Sequence, residues 1–107
     1  MKKFDNFEEF EDNANPYHEG TLVKIIFKKE LYYNRFGGFL KEKTLNKEEV
    51  IPVNYIIGRY VGITSHNIDR ELVLSDGTAS RTNLFSGKTR IPNFEKVIES
   101  YEILKLP

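Results

Sequence analysis

The chain has no cysteine and no tryptophan, and only two histidines and one methionine among its 107 residues. Without cysteine there can be no disulfide framework, no CxxC redox pair and no thiolate zinc site. A cysteine nucleophile is excluded for the same reason. His18 and His66 are the only imidazoles, which leaves few members for a histidine-based acid–base or metal site. Long hydrophobic runs are missing too: the most apolar stretches, Leu22 to Phe27 and Tyr55 to Ile57, are far too short to span a bilayer. The opening MKKFDNFEEF has the two lysines of a signal peptide, but acidic and polar residues stand where the apolar region belongs. A cytoplasmic protein with no membrane partner is the expectation.

Net charge is absent as well, with 16 basic residues against 16 acidic. The charges are unevenly placed. Asp5, Glu8, Glu9, Glu11 and Asp12 crowd the start, and residues 14–107 carry 14 basic and 11 acidic groups, a net of +3. Such a mildly basic body falls short of the footprint of a general nucleic-acid binder. The abundance of Asn, Ile, Lys, Tyr and Phe, all encoded by AT-rich codons, points to a low-GC bacterium or its phage as the source.

At this length one domain is expected, large enough to fold without a metal or disulfide. Residues 1–15 read as an acidic-aromatic N-terminal unit. Phe4, Phe7 and Phe10 recur every third residue between carboxylates. Asp5 or Asn6 can cap a short helix, with Glu8 or Glu9 completing a capping box. Either the unit is a short amphipathic helix laid on the body, or it is a mobile arm that docks a partner. Asn13-Ala-Asn-Pro16 breaks any helix there.

Residues 16–107 read as a β-rich domain. Thr21–Phe27 is apolar and β-branched, Leu31–Tyr33 is a second short strand, and Asn34–Gly38 is a turn. Phe39–Leu45 returns, and Asn46–Glu49 is a polar loop. Val50–Ile57 is extended but holds Pro52, which marks an edge, a bulge or a strand start. Gly58–Thr64 continues as a strand or bends at its glycines, and Ser65–Asp69 turns. Glu71–Leu74 is a strand, Ser75-Asp-Gly77 a turn from which Thr78–Thr82 pairs back, and Ser86–Thr89 a loop. Asn93 has the chemistry of an N-cap for one or two helical turns, with Phe94, Val97, Ile98 and Tyr101 on one face. Alternation from Tyr101 to Leu106 fits a closing strand equally well.

Short strands with glycine turns predict a mainly β, single-domain bent sheet or barrel with a short helix near the C-terminus. The stretch from Gly58 to Asp76, a strand, a polar turn and an apolar strand ending in Asp-Gly, resembles the middle of an SH3-like or Sm-like barrel. An OB-like barrel satisfies the same pattern.

Catalytic motifs are incomplete. Ser65-His66 with Asp69 lacks the distant partners from which a triad is assembled, and His66-x-x-Asp69 offers two metal ligands where a hydrolytic zinc normally takes three. Ser86-Gly-Lys-Thr89 ends like a phosphate loop, but Thr82 stands where its first glycine belongs. Glu48-Glu49 sits in a lysine-rich loop rather than a cleft. No enzyme activity, cofactor or metal is expected.

The segment from Phe27 to Lys43 stands out, interleaving five aromatics with Lys28, Lys29, Arg35, Lys41 and Lys43. Plain structure accounts for it if alternate rings face a core. Tyr32 and Tyr33 point to opposite faces of a strand, so one of them should lie open or at a rim, and Phe36 is hard to bury in a turn. The expected function is a non-enzymatic protein-binding module, a small regulator or inhibitor encoded on a phage or mobile element. Its binding residues would be Phe4, Phe7, Phe10, Tyr32, Tyr33, Arg35 and Phe36. The alternative is a single-stranded nucleic-acid binder. There, rings would stack bases while Lys28, Lys29, Arg35, Lys41 and Lys43 track phosphates.

Overall fold

Strand-forming sequence dominates the chain, and the computed structural model, which describes residues 2–14, 20–34, 39–41, 50–66, 69–79 and 84–107, is mainly β. The elements are β1 (Lys2–Phe4), α1 (Phe7–Ala14), β2 (Leu22–Asn34), β3 (Phe39–Lys41), β4 (Val50–His66), β5 (Asp69–Ala79), β6 (Leu84–Pro92), α2 (Phe94–Val97) and β7 (Ile98–Lys105). They form one seven-stranded sheet in the order β1-β7-β2-β3-β6-β5-β4, with β2 also paired to β4. Every pairing is antiparallel except β3 with β6. Among the described residues no helix is long and apolar enough to cross a membrane.

The sheet is strongly bent, and it is not closed into a barrel. Strand β2 pairs with β4 along both of its halves, and β4 passes the sheet on to β5 from Ile56 onward. At the far side β3 meets β6 through one residue pair, Phe39 with Arg90, rather than a continuous ladder. Register shifts between Ile57 and Arg59, Tyr60 and Gly62, and Ser75 and Gly77 supply the bending, because each extra residue on one strand kinks it and increases its twist.

One of these bulges overturns a turn assignment. Ser75-Asp-Gly77 lies inside β5, which runs on to Ala79 and pairs back only from Leu84, opposite Thr78. Asp76 takes φ 43, a conformation asparagine and aspartate tolerate. It produces a bulge rather than a reversal, and the Asp76 carboxylate accepts a hydrogen bond from Gly87 N at 2.9 Å. Ser86–Thr89 is accordingly strand β6 rather than a loop. Leu31–Tyr33 is the second half of β2, not a separate strand, and Gly58–Thr64 continues β4 without a break. Pro52 sits in the part of β4 whose register partners lie on β2 only, which leaves its missing N–H on an edge. The reversal at Arg35–Gly38, the stretch from Glu42 to Glu49 and the tip between His66 and Asp69 lie outside the described residues.

The core fills the concave side of the bend. Val23, Ile25 and Phe27 of β2, Val53, Ile56 and Tyr60 of β4, Leu72 and Leu74 of β5, and Ile98, Tyr101 and Ile103 of β7 are all buried there. The N-terminal unit belongs to this body. β1 pairs with β7, Phe4 opposite Tyr101, and α1 puts Phe10 and Ala14 into the core at 0% exposure. The Phe10 ring stacks on Tyr101 at 4.9 Å and meets Tyr60 edge-on at 5.2 Å. Helix α2 begins after Asn93, which carries φ 51 and makes no side-chain cap. Its backbone carbonyl instead accepts from Lys96 N and Val97 N, so asparagine serves here by tolerating the left-handed conformation. Ile98–Lys105 is a strand, which resolves the helix-or-strand ambiguity of the last segment.

Two substitutions test this packing in chemical denaturation. Phe10→Ala removes a ring buried between two tyrosines and should cost about 3–5 kcal/mol, whereas a mobile arm would lose almost nothing. A Cβ added at Gly77 would stand 1.8 Å from the Ile57 carbonyl oxygen and 2.7 Å from Gly58 Cα. Because the β4 backbone must move, Gly77→Ala should destabilise by about 1–3 kcal/mol.

Candidate binding grooves around helix α2

Two grooves adjoin α2, and their residues come from segments far apart in sequence. The first is built from α1. Asn6 caps that helix, its Oδ1 accepting from Glu8 N at 2.7 Å and Glu9 N at 3.3 Å. This satisfies two of the open N–H groups of the first turn, and Glu8 and Glu9 there complement the helix dipole. With Phe7, Phe10 and Ala14 turned to the body, the carboxylates of Glu8, Glu9 and Asp12 are left in water. Glu11 lies between the two faces and accepts a hydrogen bond from the Tyr60 hydroxyl at 2.9 Å.

The resulting groove, of about 600 Å³, runs between α1, α2 and the start of β7. Asp5, Glu8, Glu11, Glu95 and Glu99 line it, against the cations Lys28 and Arg70. Five carboxylates against two cations leave it three charges negative. Arg70 is already engaged: its guanidinium donates to Glu95 at 3.1 Å and lies 5.5 Å from the centre of the Phe94 ring. Both side chains are more than half exposed, so the pair contributes at most about 1 kcal/mol. Tyr101 also lines the groove, although it is only 2% exposed. Burial, reinforced by the Glu95 charge, pushes its phenol well above the ordinary value of 10.0. Tyr60 is raised further by burial and then by the Glu11 carboxylate it donates to.

The second groove, of about 490 Å³, is lined by Lys28, Lys29, Glu30, Leu31, Tyr32, Lys96 and Val97. It exists because β2 leaves its ladder. Ile26 stands opposite Tyr55, yet Leu31 stands opposite Val53. Four residues of β2 therefore face Asn54 alone, and Lys28, Lys29 and Glu30 are all exposed.

Of the residues anticipated to bind, Phe10 and Tyr33 are core side chains, at 0% and 8% exposure, and in this conformation neither offers a surface. Phe4 and Phe7 are half-buried against the same core, Phe7 meeting Phe94 at 4.7 Å and forming part of the acidic groove. Tyr32 is half-buried and lies with Lys28 and Lys29 in the second groove. Lys41 is placed only as backbone in β3. Arg35, Phe36 and Lys43 lie outside the described residues, as does His18, and His66 is placed only as backbone of β4. Among the described residues no group of three or more histidines and carboxylates is arranged to hold a metal ion. Arg70, Glu95, Lys96 and Glu99 carry no role in the sequence reading, and Tyr101 has only a structural one there. The one local signal is that Glu95, Lys96 and Glu99, like Glu102 and Lys105, are interspersed among the apolar residues of the C-terminal segment.

The buried phenols make the fold sensitive to alkali. Their folded pKa values are raised, so the stability they contribute is full below the unfolded value of 10.0. It is lost as pH climbs above that value, where only the unfolded chain can ionise. The Tyr60 and Tyr101 phenolates should therefore form only in step with loss of the near-UV circular dichroism. Ionisation of both with the fold intact would contradict this.

Compared with protein-family models, with curated proteins and with solved structures, the chain matches none.

Proposed function

We propose that this chain is a non-enzymatic protein-binding module, a small regulator or inhibitor, and that it holds a cationic segment of its partner in the acidic groove between α1 and α2. The observation that carries this reading is the gathering of Asp5, Glu8, Glu11, Glu95 and Glu99 around one groove in a chain of zero net charge. Local charge of this kind steers and orients a complementary partner more than it adds raw affinity. The chemistry that fits is already present within the molecule. Arg70 already lies over the Phe94 ring and pairs with Glu95, and the exposed carboxylates of Asp5, Glu8 and Glu99 are what an incoming guanidinium meets. The absence of cysteine, together with incomplete nucleophile and metal motifs, weighs against catalysis.

The test is fluorescence anisotropy with a labelled arginine-rich peptide and an acidic peptide of equal length. The basic peptide should bind and the acidic one should not. Reversing the exposed charges with Glu8→Lys and Glu99→Lys together should weaken binding about tenfold or more at moderate salt. Raising the salt should weaken the wild-type complex. Equal affinity of the variant and the original chain for the basic peptide would remove this groove from consideration.

A further inference from the structure

The excursion of β2 over Lys28–Glu30 is a local rule broken without benefit to the core. The strand sends Val23, Ile25 and Phe27 inward, resumes with Leu31 and Tyr33, and between them exposes three consecutive charged residues. A regular strand would bury one of those positions and keep its ladder bonds to β4. Bulges that give up pairing in this way commonly re-aim side chains at a site. Here they aim Lys28 and Lys29 into the groove that α2 completes with Lys96 and Val97. Three lysines against Glu30 make the groove two charges positive, and Tyr32 and Leu31 supply an apolar wall.

We propose that this groove binds a nucleotide unit, with the base against the Tyr32 ring and the phosphates on Lys28, Lys29 and Lys96. Ammonium groups suit phosphate as point charges, and an aromatic ring stacks on any base without regard to sequence. A volume of about 490 Å³ is that of a small-ligand site rather than a long channel. Charge also limits the length of the ligand. Lys28 lines both grooves, so a strand continuing past it would run among Glu8, Glu95 and Glu99 and be repelled. The ligand is therefore short, about one or two nucleotides in contact, supplied either as a free nucleotide or as the end of a single strand. This inference is independent of the protein partner proposed above.

Anisotropy titrations with end-labelled oligothymidylates of two, four and twelve nucleotides, with ATP and inorganic pyrophosphate as competitors, decide the matter. The two shorter oligomers should bind with Kd on the order of 100 μM, and the salt slope should be shallow, about −1 for one or two phosphate contacts. The twelve-mer should gain no more than about threefold, since one site end cannot be passed. Tyr32→Leu, which keeps the apolar bulk but removes the ring, should weaken binding about tenfold, and Tyr32→Phe should restore it. Lys29→Glu should weaken every oligomer strongly, with circular dichroism confirming that each variant is folded. Displacement by ATP at comparable concentration identifies a free nucleotide as the ligand. Binding of the oligomers without competition by ATP identifies a strand end. Three results would overturn the proposal: no binding of any probe, a twelve-mer bound far more tightly than the four-mer, or pyrophosphate competing fully while Tyr32→Leu binds unchanged.

Discussion

The seating of Phe10 between Tyr101 and Tyr60 is the contact on which the arrangement of this molecule depends. A bent sheet of this size has a concave side that its own strands cannot fill. The described core residues of β2, β4, β5 and β7 converge there, and the gap at one end is closed by a ring from the other end of the sequence. Burial of a phenylalanine stabilises by roughly 2–3 kcal/mol through area alone. Its geometry matters as much. The stack on Tyr101 and the edge contact with Tyr60 fix the rotation of α1, and the Tyr60–Glu11 hydrogen bond fixes it a second time on the polar side. A helix so oriented must present Glu8 to α2, because the residues three apart in its sequence are committed to the core. The acidic groove is thus a consequence of aromatic packing.

The bends of the sheet are set by residues that tolerate unusual backbone. Gly77 lies so close to Ile57 and Gly58 that no side chain fits between the strands, and Asp76 beside it turns its carboxylate to the β6 backbone. These positions absorb curvature and keep the core-facing alternation on either side. The bulge at Lys28–Glu30 is of another kind. It holds no glycine, exposes only charge and brings nothing into the core. Within one sheet, therefore, some irregularities serve closure of the core, and this one serves the surface.

The β-rich character was legible, and the cap at Asn6, the setting of Pro52 and the form of the last segment were each narrowed to two or three alternatives, because each rests on chemistry within a few residues. The bulge at Asp76 was not. A residue suited to positive φ serves a reversal or a bulge equally, and the choice depends on whether β6 can reach back, which is a tertiary matter. Tyr32 and Tyr33 were correctly expected to face opposite ways, but only the fold decides that Tyr33 is the inner one. The acidic groove escaped altogether. Its carboxylates come from residues 5–11 and 95–99, and nothing local to Glu95 or Glu99 indicates that α1 will dock beside them. Conversely, proximity in sequence makes Phe27 to Lys43 look like a single platform, but in the fold Phe27 and Tyr33 turn inward, while Lys28, Lys29 and Tyr32 share a groove with Glu30 and Leu31.

Lys28 joins the two grooves electrostatically, since it lines both. Its positive charge opposes a cation entering the acidic groove and attracts an anion entering the basic one. An anion seated on Lys28 neutralises that opposition, and the net negative charge around Glu8, Glu95 and Glu99 is then felt in full by a cation. By linkage the converse holds with the same factor: a cation held in the acidic groove favours an anion beside it. At physiological ionic strength such effects fade beyond about 8 Å, so the coupling acts only between ligands that both approach this one side chain. A chain of zero net charge thus carries two opposed and adjacent fields, and the short reach of each is what allows them to coexist on one small domain.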